Sequence, residues 1–329
     1  MVASNISNDT TPIGMDYPDW YSNILAIQGS LGILFNGVLL FVFWRNKTPE
    51  FRVGTCYVIG NLALADCLTG VAVLLLASGY EPIESFQISM IWTTIEASLM
   101  SLMFLSLERF LAFYYPLMSK SIVTVKRTII VIIIIWFFAI ICGVFVNLYT
   151  TESQFAMTII YELCVIVFLL SQGYVLLKMQ QRKRGDLFCD RDVSIVTRKH
   201  IYKQQINNHV TIVVLILIIV VVVTVLPYMV ATQIFILSQL RITSLSDKTK
   251  DVIRKFIIYF YPVELLNFIV NPIIYAYRLK RYRQAFFYAF SFLRCGPFVK
   301  KPTRSLSKSS GDYKDGFGKS FNMTKAILE

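Results

Sequence analysis

Charged residues interrupt the long apolar stretches of this chain, and the clearest case is Glu108-Arg109-Phe110. It lies near the end of an apolar run that extends from Ile88 to Pro116. An acid and a guanidinium group at membrane depth are costly unless they pair or meet polar partners. In one interpretation the two side chains only reach outward to interfacial water. In the other they form a paired, functional site.

Three further acids, Glu96, Glu162 and Glu264, lie inside other apolar runs, which contain no Lys or Arg to pair with them. A buried unpaired carboxylate is expected to be protonated, paired or in contact with a ligand. We therefore hypothesise a cationic ligand, either an amine or a basic peptide, with Glu84 at the rim of its site. The alternative is three neutral carboxyl groups hydrogen-bonded to Thr or Tyr neighbours.

Composition indicates the elements that carry these residues. The 329-residue chain is 56% apolar and 16% charged, and its mean hydropathy is +0.60. These values are typical of an all-α polytopic membrane protein rather than of a soluble one. The net charge of +12 does not indicate nucleic-acid binding, because the basic residues lie in short segments between apolar runs. The polar, acidic start of the chain predicts no cleavable signal peptide.

Seven apolar runs are long enough to cross a bilayer as helices. The predicted spans are Ile24–Trp44, Tyr57–Ser78, Phe86–Phe113, Thr128–Leu148, Phe155–Leu177, His209–Leu237 and Phe256–Tyr277. All 32 Lys and Arg residues lie toward one side except Arg241, Lys248, Lys250, Arg254 and Lys255. This asymmetry predicts a plasma-membrane protein with its N-terminus outside and its C-terminus in the cytoplasm.

The segments outside the 24–277 bundle carry weaker signals. Residues 1–23 form a polar tail in which Asn5 and Asn8 are predicted glycosylation sites. Residues 278–295 mix cations and aromatic residues at helical spacing, which predicts an amphipathic eighth helix along the membrane. Cys295 ends this segment and is a candidate palmitoylation site. Residues 296–329 have the composition of a disordered tail. Short connections are predicted on the outer side, at about 79–85 and 149–154.

Three motifs occur in one order on three of the predicted spans: Asn61-Leu-Ala-Leu-Ala-Asp66, Glu108-Arg109-Phe110 and Asn271-Pro272-Ile-Ile-Tyr275. In this combination the chain resembles the rhodopsin-like (class A) G-protein-coupled receptors over roughly residues 24–295. The resemblance implies a seven-helix receptor, not an enzyme. It also implies an extracellular ligand, a heterotrimeric G protein, arrestin, receptor kinases and membrane lipids as partners, with no nucleic acid.

The resemblance assigns roles to particular residues. It implies a sodium pocket, in which the ion is an allosteric modulator rather than a cofactor, formed by Asp66, Ser98, Asn267 and Asn271. Oxygen ligands and one balancing carboxylate suit such a hard cation. It implies coupling and switch roles for Glu108, Arg109, Phe110, Tyr174, Pro227, Asn271, Pro272 and Tyr275. It also places Glu96 on the side of its helix that faces Glu162.

The chain departs from the family pattern at several positions. Glu84 replaces the usual cysteine, Val225 replaces the aromatic residue before Pro227, and Asn207 replaces the acid that clasps Arg109 at rest. No extracellular disulfide is therefore expected. These features are similar to those of the melanocortin, lysophospholipid and cannabinoid branch, and the second inner loop also suits the adenosine branch. The ligand-facing position where monoamine receptors carry Asp is Ile91.

Two other functions remain open from the residues alone. A transporter or channel is compatible with seven spans and intramembrane acids, but the two halves of the chain show no corresponding broken segments. A membrane hydrolase is disfavoured because the two histidines, His200 and His209, lie together at the inner edge.

Overall fold

The computed structural model describes eight stretches of the chain. They are residues 18–46, 53–79, 83–115, 119–148, 150–186, 215–216, 219–278 and 280–290. The predictions for Asn5, Asn8, Asn207, Cys295 and the C-terminal tail lie outside these residues. Within them the regular structure is helical throughout.

Seven helices in the described part of the chain are long and apolar enough to cross a membrane. The first five comprise Asp19–Arg45, Gly54–Ala77, Glu84–Tyr114, Val125–Leu148 and Thr150–Asp186. The sixth span is Ile219–Gln239, and the seventh consists of Asp247–Glu264 followed by Leu266–Arg278. A four-residue helix, Ser119–Ile122, precedes the fourth span, and an amphipathic helix, Lys280–Ala289, follows the seventh. Seven helices therefore correspond to the seven predicted spans and a further helix follows them, while the start of the predicted sixth span, from His209, lies outside the described residues.

The bundle exposes apolar side chains over its outer surface. On the fourth helix, Ile133 and Phe137 are 63% and 67% exposed, and Leu170 on the fifth helix is 70% exposed. Such a surface is unfavourable in water but suits lipid, where helices satisfy their own backbone hydrogen bonds. The chain is therefore a multi-pass membrane protein.

Two predicted boundaries were wrong at the ends opposite Arg109. The seventh span begins at Asp247 rather than Phe256, because its charged first turns are amphipathic and helical. Ser246 caps this helix by accepting a hydrogen bond from the Thr249 N–H at 3.2 Å. Residues 150–154 of the predicted connection at 149–154 are also helical, since the helix that follows Leu148 begins at Thr150. Polar residues at these positions continue helices instead of forming loops.

Glycines allow two pairs of helices to approach closely. A Cβ atom on Gly29 would lie 2.8 Å from the carbonyl oxygen of Gly70, and the reverse distance is the same. These residues bring the first and second helices together. A Cβ atom on Gly143 would lie 2.0 Å from Thr93 Oγ1, so the fourth helix is equally close to the third. Small residues commonly mediate such contacts between membrane helices.

The sixth and seventh spans are both interrupted near proline. A turn at Val225 precedes Pro227 in the sixth span, and a turn at Leu265 divides the seventh after Pro262. The first helix contacts the seventh span here, because Gln28 Nε2 donates to the Pro262 carbonyl at 2.7 Å. Proline removes backbone donors and disturbs the helical ladder, which accounts for these breaks.

Candidate functional site

The inner end of the bundle, defined here as the end that holds Arg109, contains a buried charged pair. Arg109 Nη2 donates to Glu108 Oε1 at 2.9 Å and to Thr55 Oγ1 at 2.6 Å. The Thr55 hydroxyl in turn donates to Glu108 Oε1. The Arg109 and Glu108 side chains are only 8% and 9% exposed. The pair is therefore enclosed and connected to the second helix, and it does not extend into water.

Sequence reasoning missed Thr55. It lies just inside the second helix, outside the three motifs that carry the family resemblance. Its role depends on how the second and third helices are rotated, which a sequence pattern does not specify. In the structure its hydroxyl contacts both members of the charged pair. Thr55 thus holds Arg109 in the part of the chain that the structure describes.

Aromatic residues that follow this pair on the third helix contact the fifth helix. The Tyr174 ring lies 5.1 Å from that of Phe110 and 5.8 Å from that of Tyr114, measured between ring centroids. The Lys178 ammonium group lies 5.8 Å from the Tyr174 ring centroid. Two predicted switch residues, Phe110 and Tyr174, are therefore in contact.

The remaining predicted switch residues lie on the sixth and seventh spans. Tyr275 is 1% exposed, and its hydroxyl has no hydrogen-bond partner among the described residues. Its ring lies 6.2 Å from that of Tyr282 on the C-terminal helix. Pro227 lies in the first turn after the break in the sixth span, and Pro272 lies inside the last helix of the seventh. Pro227 is therefore next to a helix break, and Tyr275 is next to the C-terminal helix.

A second polar cluster lies at the centre of the bundle around Asp66. Ser98 Oγ donates to Asp66 Oδ1 at 2.6 Å, and Asn271 Nδ2 donates to Asp66 Oδ2 at 2.7 Å. Asp66 is fully buried. Asp66, Ser98 and Asn267 line one cavity of about 20 Å³. Three helices thus bring together the four residues of the predicted sodium pocket.

Buried oxygen atoms around this cavity lack donors in the described part of the chain. They include Oδ1 of both Asn267 and Asn271. A buried polar oxygen without a partner is unfavourable and calls for an explanation such as a bound ion or water. The donor set consists of carboxylate, amide and hydroxyl oxygens, which is the set that a hard cation prefers.

A polar network beside Asp66 joins three helices. Asn61 Nδ2 donates to Ser101 Oγ at 2.8 Å, and Trp136 Nε1 donates to Asn61 Oδ1 at 2.7 Å. These bonds connect the second helix to the third and the fourth. They fix the rotation of the second helix and so help to orient the Asp66 carboxylate.

The structure separates the three intramembrane acids. Glu96 is fully buried, and neither carboxyl oxygen has a hydrogen-bond partner among the described residues. Glu162 is partly buried on the fifth helix. Glu264, in contrast, lines the cavity around Asp66.

The two other residues predicted to contact the ligand lie on the third helix. Glu84 is its first residue, and its side chain lies outside the described part of the chain. Ile91 is 8% exposed. Sequence reasoning missed Tyr161, which lies within electrostatic range of both Glu96 and Glu264. The sequence did contain a signal for it, because Tyr161 is an aromatic residue with a hydroxyl group directly before Glu162.

Comparison with known proteins finds a family whose members resemble part of this chain. The model of the 7 transmembrane receptor (rhodopsin family) matches residues 35–172, from the first helix to the fifth. The matched segment contains Asp66 and the Glu108–Arg109 pair, and seven spans follow the expected order. Over residues 35–172 the chain is therefore similar to the rhodopsin family of seven-transmembrane receptors, and its seven spans agree with that likeness.

Two curated human relatives match part of this receptor. G-protein coupled receptor 12 of Homo sapiens is 30% identical over 120 residues, which are 34% of this chain and 35% of the relative. G-protein coupled receptor 3 of Homo sapiens is 28% identical over 124 residues, which are 36% and 37% of the two chains. The alignments thus span about a third of the length of these relatives. The branch within the family stays a prediction.

Proposed function

We propose that this receptor binds an extracellular ligand in the plasma membrane and activates a heterotrimeric G protein at its cytoplasmic face. Its N-terminus lies outside in this proposal. The observation that carries it is the buried Glu108–Arg109 pair, tethered to Thr55 at the inner end. These hydrogen bonds can be exchanged for others when the helices move. A guanidinium group at the end of a helix bundle can therefore act as a conformational switch.

The switch works by a shift between two arrangements of the helices. In the described arrangement, the Arg109 guanidinium group donates hydrogen bonds to the Thr55 hydroxyl and to the Glu108 carboxylate. Ligand binding shifts the population toward an open arrangement only as far as the ligand binds that arrangement more tightly. Opening separates the second and third helices and releases Arg109 toward the G protein. Phe110 and Tyr174, which are in ring contact, move with it.

A sodium ion modulates this equilibrium in our proposal. Asp66, Ser98, Asn267 and Asn271 would hold the ion, and the donor-free oxygens of the two asparagines support its presence. When bound, the ion supplies a positive charge that balances the Asp66 carboxylate. Ser98 and Asn271, on two other helices, orient that carboxylate by donating hydrogen bonds to it.

The ligand carries a positive charge and is an amine or a basic peptide in this proposal. The support comes from Glu96, whose two carboxyl oxygens lack donors, and from Glu162, whose Oε1 is also without a partner in the described structure. Both lie on helices that face each other, and Glu84 begins the third helix at the outer end. A charged ligand group would compensate these acids.

Further partners act on the cytoplasmic side. Arrestin and receptor kinases would recognise the active receptor, and the serine-containing tail beyond residue 295 offers sites for phosphorylation. Membrane lipids contact the exposed apolar surface. The amphipathic helix Lys280–Ala289 lies along the inner membrane face in this arrangement.

The coupling proposal is tested by nucleotide exchange on purified G proteins. Native receptor is compared with Arg109→Ala, which removes the buried guanidinium group, and with Arg45→Ala, which removes an exposed one. We expect basal and ligand-stimulated exchange to fall in the first variant and to persist in the second. Absence of exchange with every G protein class, by a folded native receptor, would refute coupling.

The ligand proposal is tested with isosteric substitutions. Glu96→Gln and Glu162→Gln keep shape and remove charge, whereas Glu152→Gln changes an exposed acid on the fifth helix. Basic peptides and amines are screened first for stimulation of exchange. An agonist found in this way should lose potency with the first two variants only. Unchanged potency in both would refute a cationic ligand at these acids.

A further inference from the structure

The seventh span begins with an exposed strip of side chains at the end of the bundle opposite Arg109. The strip, called the outer strip below, consists of Lys248, Val252, Lys255 and Tyr259, all of them exposed. Their spacings of four, three and four residues place them on one face of the helix. The valine is 60% exposed although it lies between two lysines. A strip that combines cations with an exposed apolar side chain suits a partner that combines acids with apolar side chains.

The same part of the chain carries more positive than negative charge. Residues 241–255 contain five Lys and Arg residues and two Asp residues, an excess of three positive charges. The two acids pair within their own helix, with Lys250 at 3.9 Å and with Lys255 at 3.0 Å. Lys248 has no ion-pair partner in the described part of the chain, and Nε of Arg254 is buried there without an acceptor. The outer end of the seventh span therefore attracts an acidic partner.

The start of the chain leaves the bundle beside this strip. Trp20, in the first turn of the first helix, stacks on Tyr259 with 5.6 Å between ring centroids and 28° between ring planes. The next residue, Tyr21, is buried in a cluster that includes Ile258 of the seventh span. The described part of the first helix starts just before these residues, at Pro18. Residues 1–17 are thus attached at the Tyr259 end of the outer strip.

The charges of this segment match those of the strip in order and spacing. Residues 1–17 contain two acids, Asp9 and Asp16, and no Lys or Arg. These acids precede Trp20 by eleven and four residues. The two lysines of the outer strip precede Tyr259 by the same numbers of residues. Measured from the two stacked rings, each acid therefore has a lysine as its counterpart.

The segment is long enough to bring these charges together. Along the helix, four and eleven residues correspond to about 6 and 16 Å. An extended chain of four residues spans up to about 13 Å, and one of eleven residues spans up to about 36 Å. The reach of the segment exceeds both distances, so the pairing requires no change in the described helices.

We propose that residues 1–17 dock along the outer strip and that their two acids pair with its two lysines. Asp16 lies beside Lys255 in this arrangement. Asp9 lies beside Lys248, and the apolar side chains between the two acids contact the valine of the strip. The docked segment adds a second connection between the first helix and the seventh span. This inference goes beyond the proposed function and does not depend on G-protein coupling or on the charge of the ligand.

Covalent attachment makes such weak contacts sufficient. A single exposed ion pair changes an equilibrium by up to about fivefold and is weakened by salt. The segment is tethered at Trp20, however, so its pairing with the strip is intramolecular and has a high effective concentration. Two pairs and one apolar contact therefore favour the docked segment at low ionic strength.

Disulfide cross-linking of the full-length protein tests this arrangement. Met15→Cys is combined with Val252→Cys, which places one thiol on the segment and one in the middle of the outer strip. The control combines Met15→Cys with Ser78→Cys, because Ser78 is an exposed residue at the same end of the bundle, after the second helix. The rate of cross-linking under a mild oxidant is measured by mass spectrometry of the linked peptides, in 0.1 M and 1 M NaCl.

The same rate is measured in charge-reversed variants. Asp9→Lys with Asp16→Lys changes only the segment, and Lys248→Glu with Lys255→Glu changes only the strip. A fourfold variant combines both reversals and restores opposite charges. Arg45→Glu, at the other end of the first helix, is the control for a general effect of charge. Thermal unfolding shows that each variant is folded.

We expect the cysteine on the strip to cross-link at least about fivefold faster than the control cysteine, because each ion pair contributes up to about that factor. High salt and either reversal should remove this preference. The fourfold variant should recover it, and Arg45→Glu should retain it. Recovery by the fourfold variant distinguishes charge pairing from a structural effect of the single reversals.

Three results would overturn the proposal. The first is equal cross-linking to the strip and to the control position. The second is a preference that persists when the two acids of the segment are reversed, a change that leaves the described helices intact. The third is cross-linking only between two chains, which would assign the strip to the segment of a second copy. Nucleotide exchange does not enter this test, so failure of the coupling proposal would leave the result unchanged.

Discussion

Replacing Thr55 by valine should raise the basal activity of the receptor. The substitution preserves the shape of the side chain and removes its hydroxyl group. That hydroxyl makes two hydrogen bonds to charged groups, one with Arg109 at 2.6 Å and one with Glu108. Such bonds contribute about 1.5–3 kcal/mol each. If opening breaks one of the two bonds, the variant destabilises the closed arrangement by about 1.5 kcal/mol more than the open arrangement.

An energy of about 1.4 kcal/mol changes an equilibrium tenfold. Because the minor state of a two-state protein is typically about 0.1–10% populated, basal exchange should rise by up to about tenfold. The assay is nucleotide exchange without ligand, at equal amounts of folded receptor. Thr158→Val is the matched control, since Thr158 is fully buried and its hydroxyl donates to the Phe155 carbonyl of its own helix. Unchanged or reduced exchange by folded Thr55→Val would refute the tether.

Two further predictions concern stability and are measured by thermal unfolding. Gly143→Ala should destabilise the receptor by about 1–2 kcal/mol, because overpacking against Thr93 outweighs the better helix propensity of alanine. Gly37→Ala, where nothing lies within 4 Å of the new Cβ, should be neutral or stabilising, and equal effects would contradict the proposed close packing. Trp136→Phe should cost about 1–3 kcal/mol by leaving the Asn61 carbonyl without its 2.7 Å donor, and a neutral effect would argue against that bond.

Much of the architecture could be predicted from the sequence. A bilayer demands about 20 apolar residues per helix, so seven spans follow from the hydropathy pattern alone. The resemblance also grouped Asp66, Ser98, Asn267 and Asn271, which lie close together in the structure. Asn267 and Asn271 lie four residues apart on the seventh span, so the sequence alone places them on one helix face. The outer connections were less predictable, because polar residues can continue an amphipathic helix.

The partners of individual side chains depended on the tertiary structure. Thr55 reaches Glu108 and Arg109 only because the second and third helices are packed at one particular rotation. From the sequence, Glu264 and Glu96 were both simply acids within apolar spans. In the structure Glu264 lines the cavity around Asp66.

The sequence by itself thus determined which segments enter the membrane and which polar residues they carry. Those properties follow from local composition and helical periodicity. Which acids share a cavity, and which hydroxyl holds Arg109, was decided by the contacts between helices. In lipid these contacts arise from close packing and interhelical hydrogen bonds, which involve residues far apart in the chain.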